Sequence, residues 1–279
     1  MTASDAPTAP SSSFSAWIYF LLAFGITWGA VLILALPHGF PGQGEAIMQV
    51  YPLVFLAMIA GPAIAGIVMA LATGTIGDLL RAIATWRVGP GYYAVSILAV
   101  PAAIAVSLGI ASLFAPGFTP LAFGEAGLTV VAMGIGLGLL AGLLEEIGWT
   151  GFATPRQLAR WSVLATGLMI GAVHGIWHLP AGFWGEGARY GWMYLPYFVL
   201  LWIAGLIALR LIIVWLFART GSVLLAQLAH ASYTGGLLAL WPATEDLVAI
   251  TWWSGGFALL LLIVALSLVL LVPVRQTPA

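Results

Sequence analysis

Two adjacent carboxylates, Glu145 and Glu146, close an uncharged, glycine-rich apolar run, and three histidines, His174, His178 and His230, lie inside later apolar runs. Together such groups can activate a water molecule. A glutamate serves as general base, while imidazoles either stabilise a tetrahedral oxyanion or hold a Lewis-acidic metal. Two carboxylates this close in a low-dielectric setting disfavour double ionisation, a condition suited to proton transfer. His174 and His178 are four residues apart and so share a helical face, a spacing that fits a shared metal or a proton relay. In Gln227-Leu-Ala-His230-Ala-Ser-Tyr-Thr234, Gln227 and Thr234 fall on the same side of a helix as His230. The competing reading of the glutamates is an interfacial pair facing Arg156 or Arg160 in the next loop. Amide hydrolysis fits the inventory. There is no serine in a nucleophile-elbow context and no HExxH, which weakens serine-hydrolase and zincin readings. With no cysteine there is neither a thiol nucleophile nor a thiolate metal site.

The elements that must position these groups are membrane spans. Of 279 residues, 62% are hydrophobic and only 6% charged, against about 25% charged in soluble domains. A carboxylate costs about 2.5–3.5 kcal/mol at mid-bilayer, so a pair at the border of a span needs a reason. Net charge is −1 with eight arginines and no lysine, so no basic footprint for nucleic acid exists. A span needs about 20 apolar residues. Eight windows qualify, near 14–36, 49–72, 92–115, 127–148, 162–183, 196–217, 221–241 and 250–272, broken by Pro- and Gly-rich stretches such as Pro37 to Gly44, Gly89-Pro-Gly91, Pro116 to Pro120 and Pro242 to Asp246. The expected fold is an all-α polytopic membrane protein with about eight transmembrane helices. It comprises a disordered tail over 1–13, one membrane domain over 14–272 with its motif core near 127–241, and a tail over 273–279. Arg81, Arg87, Arg156, Arg160, Arg219 and Arg275 fall on one face of this parse, and Arg189 with Glu45, Glu125, Glu186, Glu245 and Asp246 on the other. Arginine marks the cytoplasmic side, so both termini are expected there. The amphipathic segment Ile76–Val88 is expected to lie at that interface, and the glycines at 134, 138 and 142 to admit a neighbouring helix closely.

As a constellation the motifs resemble the CAAX-protease and bacteriocin-processing (CPBP) intramembrane proteases, which include the type II CAAX prenyl endopeptidases. That family's pattern is EExxxR, FxxxH and HxxxN on successive helices. Glu145-Glu146, followed by Pro155-Arg156, matches the first motif; Trp177-His178-Leu-Pro180 looks like the second; and Gly221 to Ala231, containing His230, looks like the third. Ala60-Gly-Pro-Ala-Ile-Ala65 and Trp86-Arg-Val-Gly89 are similar to the family's early spans. Three positions depart from the pattern. Thr150 stands for its arginine, His174 for its phenylalanine and Thr234 for its asparagine. The resemblance implies an intramembrane endopeptidase in which Glu145 activates water, Glu146 orients or acts as a secondary acid, and His178 and His230 bind oxyanion or metal. Arg156 or Arg160 would reach back to Glu146, Thr234 would donate its hydroxyl, and His174 would add a third imidazole to a metal site with His178 and His230. The cofactor stays open between a divalent metal such as zinc and none. The implied partners are the lipid bilayer and a membrane-associated peptide or lipidated protein, with no nucleic acid, in a prokaryotic plasma membrane. Two other readings are a catalytically inactive family-fold scaffold of immunity type and a proton-coupled transporter. The transporter reading is weakened by the lack of visible internal repeats.

Overall fold

The computed structural model describes residues 12–114 and 118–272, so the tail over 273–279, Arg275, Pro116 and residues 1–11 of the other tail lie outside the described residues, while Ser12 and Ser13, expected in that tail, open the first helix. No strand forms among them; one isolated bridge joins the loops at Pro120 and Pro242. The helices are α1 (Ser12–Ala35), α2 (Glu45–Ala72), α3 (Ile76–Ile83), α4 (Pro90–Ser112), α5 (Gly127–Gly148), α6 (Thr154–Leu158), α7 (Val163–Trp177), α8 (Leu179–Tyr190), α9 (Tyr194–Phe198), α10 (Gly205–Thr220), α11 (Val223–Ala239) and α12 (Leu247–Leu271). This is an all-α, multi-pass membrane protein. Among the described residues six helical stretches are long and apolar enough to cross a bilayer, Val163–Trp177 is a shorter apolar helix, and α11 has 17 residues.

Two expected spans come out differently. The window 162–183 stops as a straight helix at Trp177, because Pro180 has no N–H to extend the ladder and sits in the first turn of α8. The window 196–217 lies inside the apolar run Leu179–Thr220, which turns at Gly191, whose φ of +52° suits glycine. A third difference concerns the glutamates. α5 does not end at them but runs on through a π turn, Trp149–Ala153, into α6, giving a 32-residue apolar stretch from Gly127 to Leu158. Glu145 and Glu146 therefore sit in the middle of a span rather than at its border. Pro155 accounts for the wider turn: it cannot bond back to Gly151, and its ring crowds that carbonyl. The Thr154 N–H and hydroxyl both donate to the Trp149 carbonyl instead.

Backbone-to-backbone contact sets the arrangement of the spans. Gly134, Gly138 and Gly142 of α5 face Gly235, Ala231 and Gln227 of α11, where a Cβ on Gly138 would meet the Ala231 carbonyl at 2.5 Å. Gly167, Gly171 and Gly175 of α7 face Leu211, Ile207 and Ile203 near α10 in the same way. Small residues at four-residue spacing let helices approach where no hydrophobic force acts between them. Gly66 of α2 lies against Gly148. Pro62 frees the Met58 carbonyl one turn earlier, and Thr27 of α1 donates to it at 3.2 Å. Three of the chemistry-bearing residues thus follow a glycine by about one turn: Glu145 after Gly142, His174 after Gly171, His178 after Gly175. The amphipathic segment forms as α3, with Leu79 buried against the π turn at Gly151 and the Asp78–Arg81 pair exposed at 2.8 Å.

Candidate active site

Successive residues on a helix point about 100° apart, and the two glutamates use that divergence. Glu145 turns to α7, where one of its carboxylate oxygens, Oε2, lies 2.9 Å from His174 Nε2. Glu146 turns to α10 and α11. Its Oε2 accepts from Thr150 Oγ1 at 2.5 Å and from Arg210 Nη1 at 2.7 Å, and its Oε1 lies 2.6 Å from His230 Nδ1. Arg210 Nη2 closes a second bond to that Oε1, making a two-pronged ion pair between side chains that are both fully buried. A buried ion pair of this kind holds only when the remaining donors and acceptors are also satisfied. They are here. Arg210 Nε donates to His174 Nδ1 at 3.0 Å.

These bonds fix the tautomers. His174 accepts at Nδ1 from a guanidinium that can only donate, so its proton is on Nε2 and is given to Glu145. His178 Nδ1 donates to the His174 carbonyl at 3.0 Å, and His230 Nδ1 donates to the Glu146 carboxylate. In the neutral tautomer that these bonds select, each leaves Nε2 as its free acceptor. His230 Nε2 lies 3.9 Å from Glu145 Oε2. Ligand atoms of Glu145, His174 and His178 all lie within 4.8 Å of one another. The expected meeting of Glu145 with both His178 and His230 is what the geometry shows, with His174 added. The group whose ligand atoms lie close enough to share a divalent ion is Glu145, His174 and His178. By donor chemistry His174 is the weakest of these, since both of its nitrogens are engaged, while His230, with the Glu146 carboxylate behind it as ligating imidazoles usually have, brings its Nε2 to 3.9 Å from Glu145 Oε2.

An aromatic wall encloses the cluster. Trp149 lies 4.8 Å from the His174 ring, Trp177 4.7 Å from His178, and Trp202, on the π turn Val199–Ala204, is stacked at 4.4 Å on His178. The indole N–H groups of Trp177 and Trp202 are buried and make no hydrogen bond among the described residues, while the Trp149 indole lies beside Glu145.

Two supporting roles expected from sequence are corrected. Arg156 does not reach Glu146. It is drawn to the Phe152 carbonyl and ring, Ser15, Thr73 and Thr75, where it fastens α1 and the turn after α2 to α6. Thr234 makes no hydrogen bond to the cluster; the residue of α11 that bonds α5 besides His230 is Gln227, to the Leu143 carbonyl at 3.0 Å. The residue that sequence reasoning missed is Arg210. The arginines near in sequence, Arg156 and Arg160, are the partners that spacing suggests, yet an arginine set between Leu209 and Leu211 in an apolar helix is costly enough in a bilayer to signal function.

Residues 127–236 match the Rce1-like family model of type II CAAX prenyl endopeptidases. This agrees with the resemblance carried by the motifs. The matched stretch runs from the start of α5 into α11 and holds all of Glu145, Glu146, Thr150, His174, His178, Arg210 and His230. Comparison with curated proteins gives no match.

Proposed function

We propose that the chain is an intramembrane endopeptidase that hydrolyses a peptide bond in a membrane-associated, CAAX-type protein or peptide. The observation that carries this is a mid-span carboxylate, Glu145, bracketed by His174 at 2.9 Å and His230 at 3.9 Å, with only one of its oxygens engaged by His174. The other oxygen is the base: it takes a proton from water as the water oxygen bonds to the scissile carbonyl carbon. The same carboxyl then returns the proton to the leaving amine as the C–N bond breaks. His174 holds Glu145 in orientation, and Glu146, neutralised by Arg210, holds His230. The N–H groups of Trp177 and Trp202 beside His178 are donors for the developing oxyanion, the role that Thr234 no longer offers. A divalent metal would be held by Glu145 and His178 with His230, and would supply Lewis-acid polarisation of the carbonyl. With the arginine-bearing loops on the cytoplasmic side, both termini are cytoplasmic and the substrate enters between helices.

Detergent-purified protein is to be tested against a library of lipidated and unmodified peptides, with Glu145→Gln and His178→Ala in parallel, each with and without a strong chelator. Cleavage by the wild type and its loss in both variants is expected, and chelator sensitivity assigns the metal. A well-folded wild type that cleaves nothing across the library defeats the peptidase reading and leaves the scaffold reading in its place.

A further inference from the structure

Two of the three departures from the family pattern, Thr150 and His174, meet in space at the buried Arg210. Thr150, which occupies the arginine position of the first motif, directs its hydroxyl to Glu146 Oε2 at 2.5 Å and lies 3.4 Å from Arg210 Nη1. A side chain at position 150 is thus aimed at the same carboxylate that the guanidinium of Arg210 grips from α10. His174, which occupies the phenylalanine position of the second motif, receives the Nε–H of Arg210, which points away from Glu146. We propose that Thr150, His174 and Arg210 form one interdependent set. The cation that the pattern places on α5 has moved to α10, the residue at 150 has shrunk to make room for it, and an imidazole has replaced the ring at 174 to accept its Nε–H and relay that bond to Glu145. Arg210 is thereby a positioning residue for both glutamates. As a statement about which residues depend on one another it stands on geometry alone; its consequence for turnover rests on the peptidase reading.

Several physical points support the set. Arg210 and Glu146 are fully buried, so neither charge has water to fall back on, and removing either leaves the other unpaired. The guanidinium is planar with five donors in a fixed fork. It spends two on Glu146 in parallel and Nε on His174, a division that an ammonium cannot copy. Thr150 is wholly buried and Gly205, one turn and a residue before Arg210 on α10, packs against Tyr233 of α11. A second arginine at 150 has no space while the Arg210 guanidinium is present, and has its space once that group is gone.

The test is a double-mutant cycle on the full-length protein in detergent micelles, read by its melting temperature. Arg210→Leu is expected to lower Tm by about 10 °C, from the cost of breaking a buried pair in a chain of this size. Thr150→Arg alone is expected to lower it too, through crowding and like charge. In the combined variant Thr150→Arg/Arg210→Leu, at least half of the Arg210→Leu loss is expected to return. A combined loss equal to the sum of the two single losses overturns the proposal. If Arg210→Leu does not fold, recovery of a folded, monodisperse combined variant carries the same meaning, and its failure to fold overturns the set. Arg210→Lys supplies the readout that a structural role would not move. On any peptide the wild type cleaves, it should keep KM within about three-fold and lower kcat at least about ten-fold, because the fork to His174 is lost while the charge remains. An unchanged kcat overturns the positioning role. Absence of cleavage by the wild type bears on the peptidase reading, and the melting cycle still decides the set.

Discussion

The chemistry of single side chains rests on which atoms carry protons. Glu145 keeps an oxygen for water because His174 is held as the Nε2–H tautomer by Arg210, a chain of donors and acceptors that runs in one direction only. Glu145→Gln should reduce cleavage by about 10²–10⁴-fold, the usual share of a general base, with little change in Tm, since the amide keeps the shape of the carboxylate; a rate within ten-fold of wild type would remove Glu145 from that role. His174→Phe restores the family residue but orphans the Arg210 Nε–H, so it should destabilise the protein by about 1–3 kcal/mol, read by thermal melting, and lower kcat through the loss of Glu145 orientation. Glu145, Glu146, His178 and His230 were legible in the sequence because ionisable residues within apolar runs are rare and costly. Their partner Arg210 obeyed the same rule and was passed over. The reason is distance in the chain: 64 residues separate it from Glu146, and no local spacing joins α10 to α5. Arg156 was chosen instead for nearness in sequence, which says nothing about where a half-buried guanidinium finds hydroxyls.

At the scale of helices, position is set by bare backbone. Gly138 and Gly136 lie two residues apart on α5, yet a Cβ at the first would meet the α11 backbone at 2.5 Å while one at the second meets nothing within 4 Å. Gly138→Leu should therefore force α5 from α11 and separate Glu146 from His230, costing about 3 kcal/mol or more, whereas Gly136→Leu should be tolerated. Equal melting temperatures for the two variants would show that the contact does not hold the helices. Thr27→Val should cost about 1–3 kcal/mol by leaving the Met58 carbonyl, already freed by Pro62, without a donor. The glycine stripe of α5 was readable from its spacing. The companion stripe of α7, Gly167, Gly171 and Gly175, was equally present in the sequence, but the histidines interleaved with it drew the attention. Helix ends were less readable: Pro180 breaks a span that hydropathy carries through to 183, and Pro155 widens one that hydropathy ends at 148.

Over the whole molecule, apolar helices cover the buried ionisable cluster on every side. The matched stretch from α5 to α11 supplies the chemistry, while α1 and α2 pack behind it through Thr27, Gly61, Gly66 and Tyr19. The chain has no cysteine, so single cysteines introduced on exposed residues report membrane sidedness without background. Arg81→Cys and Arg160→Cys should be labelled by an impermeant reagent only from the cytoplasmic side, and Glu125→Cys and Glu245→Cys only from the other; labelling of all four from one side would break the proposed orientation. The π turn at Trp149–Ala153 ties this arrangement to the site. A π turn carries about one residue more than the α turn it replaces, so it works as a phase shifter: everything before it keeps one angular setting and everything after it another, about 100° away. Pro155→Ala, by removing the ring that holds the turn open, would let the same residues close up as regular α, leaving Glu145 and Glu146 aligned with the histidines but swinging Arg156 about 100° off Thr73 and Thr75. The cluster would survive intact inside a protein whose first two helices had lost their fastening.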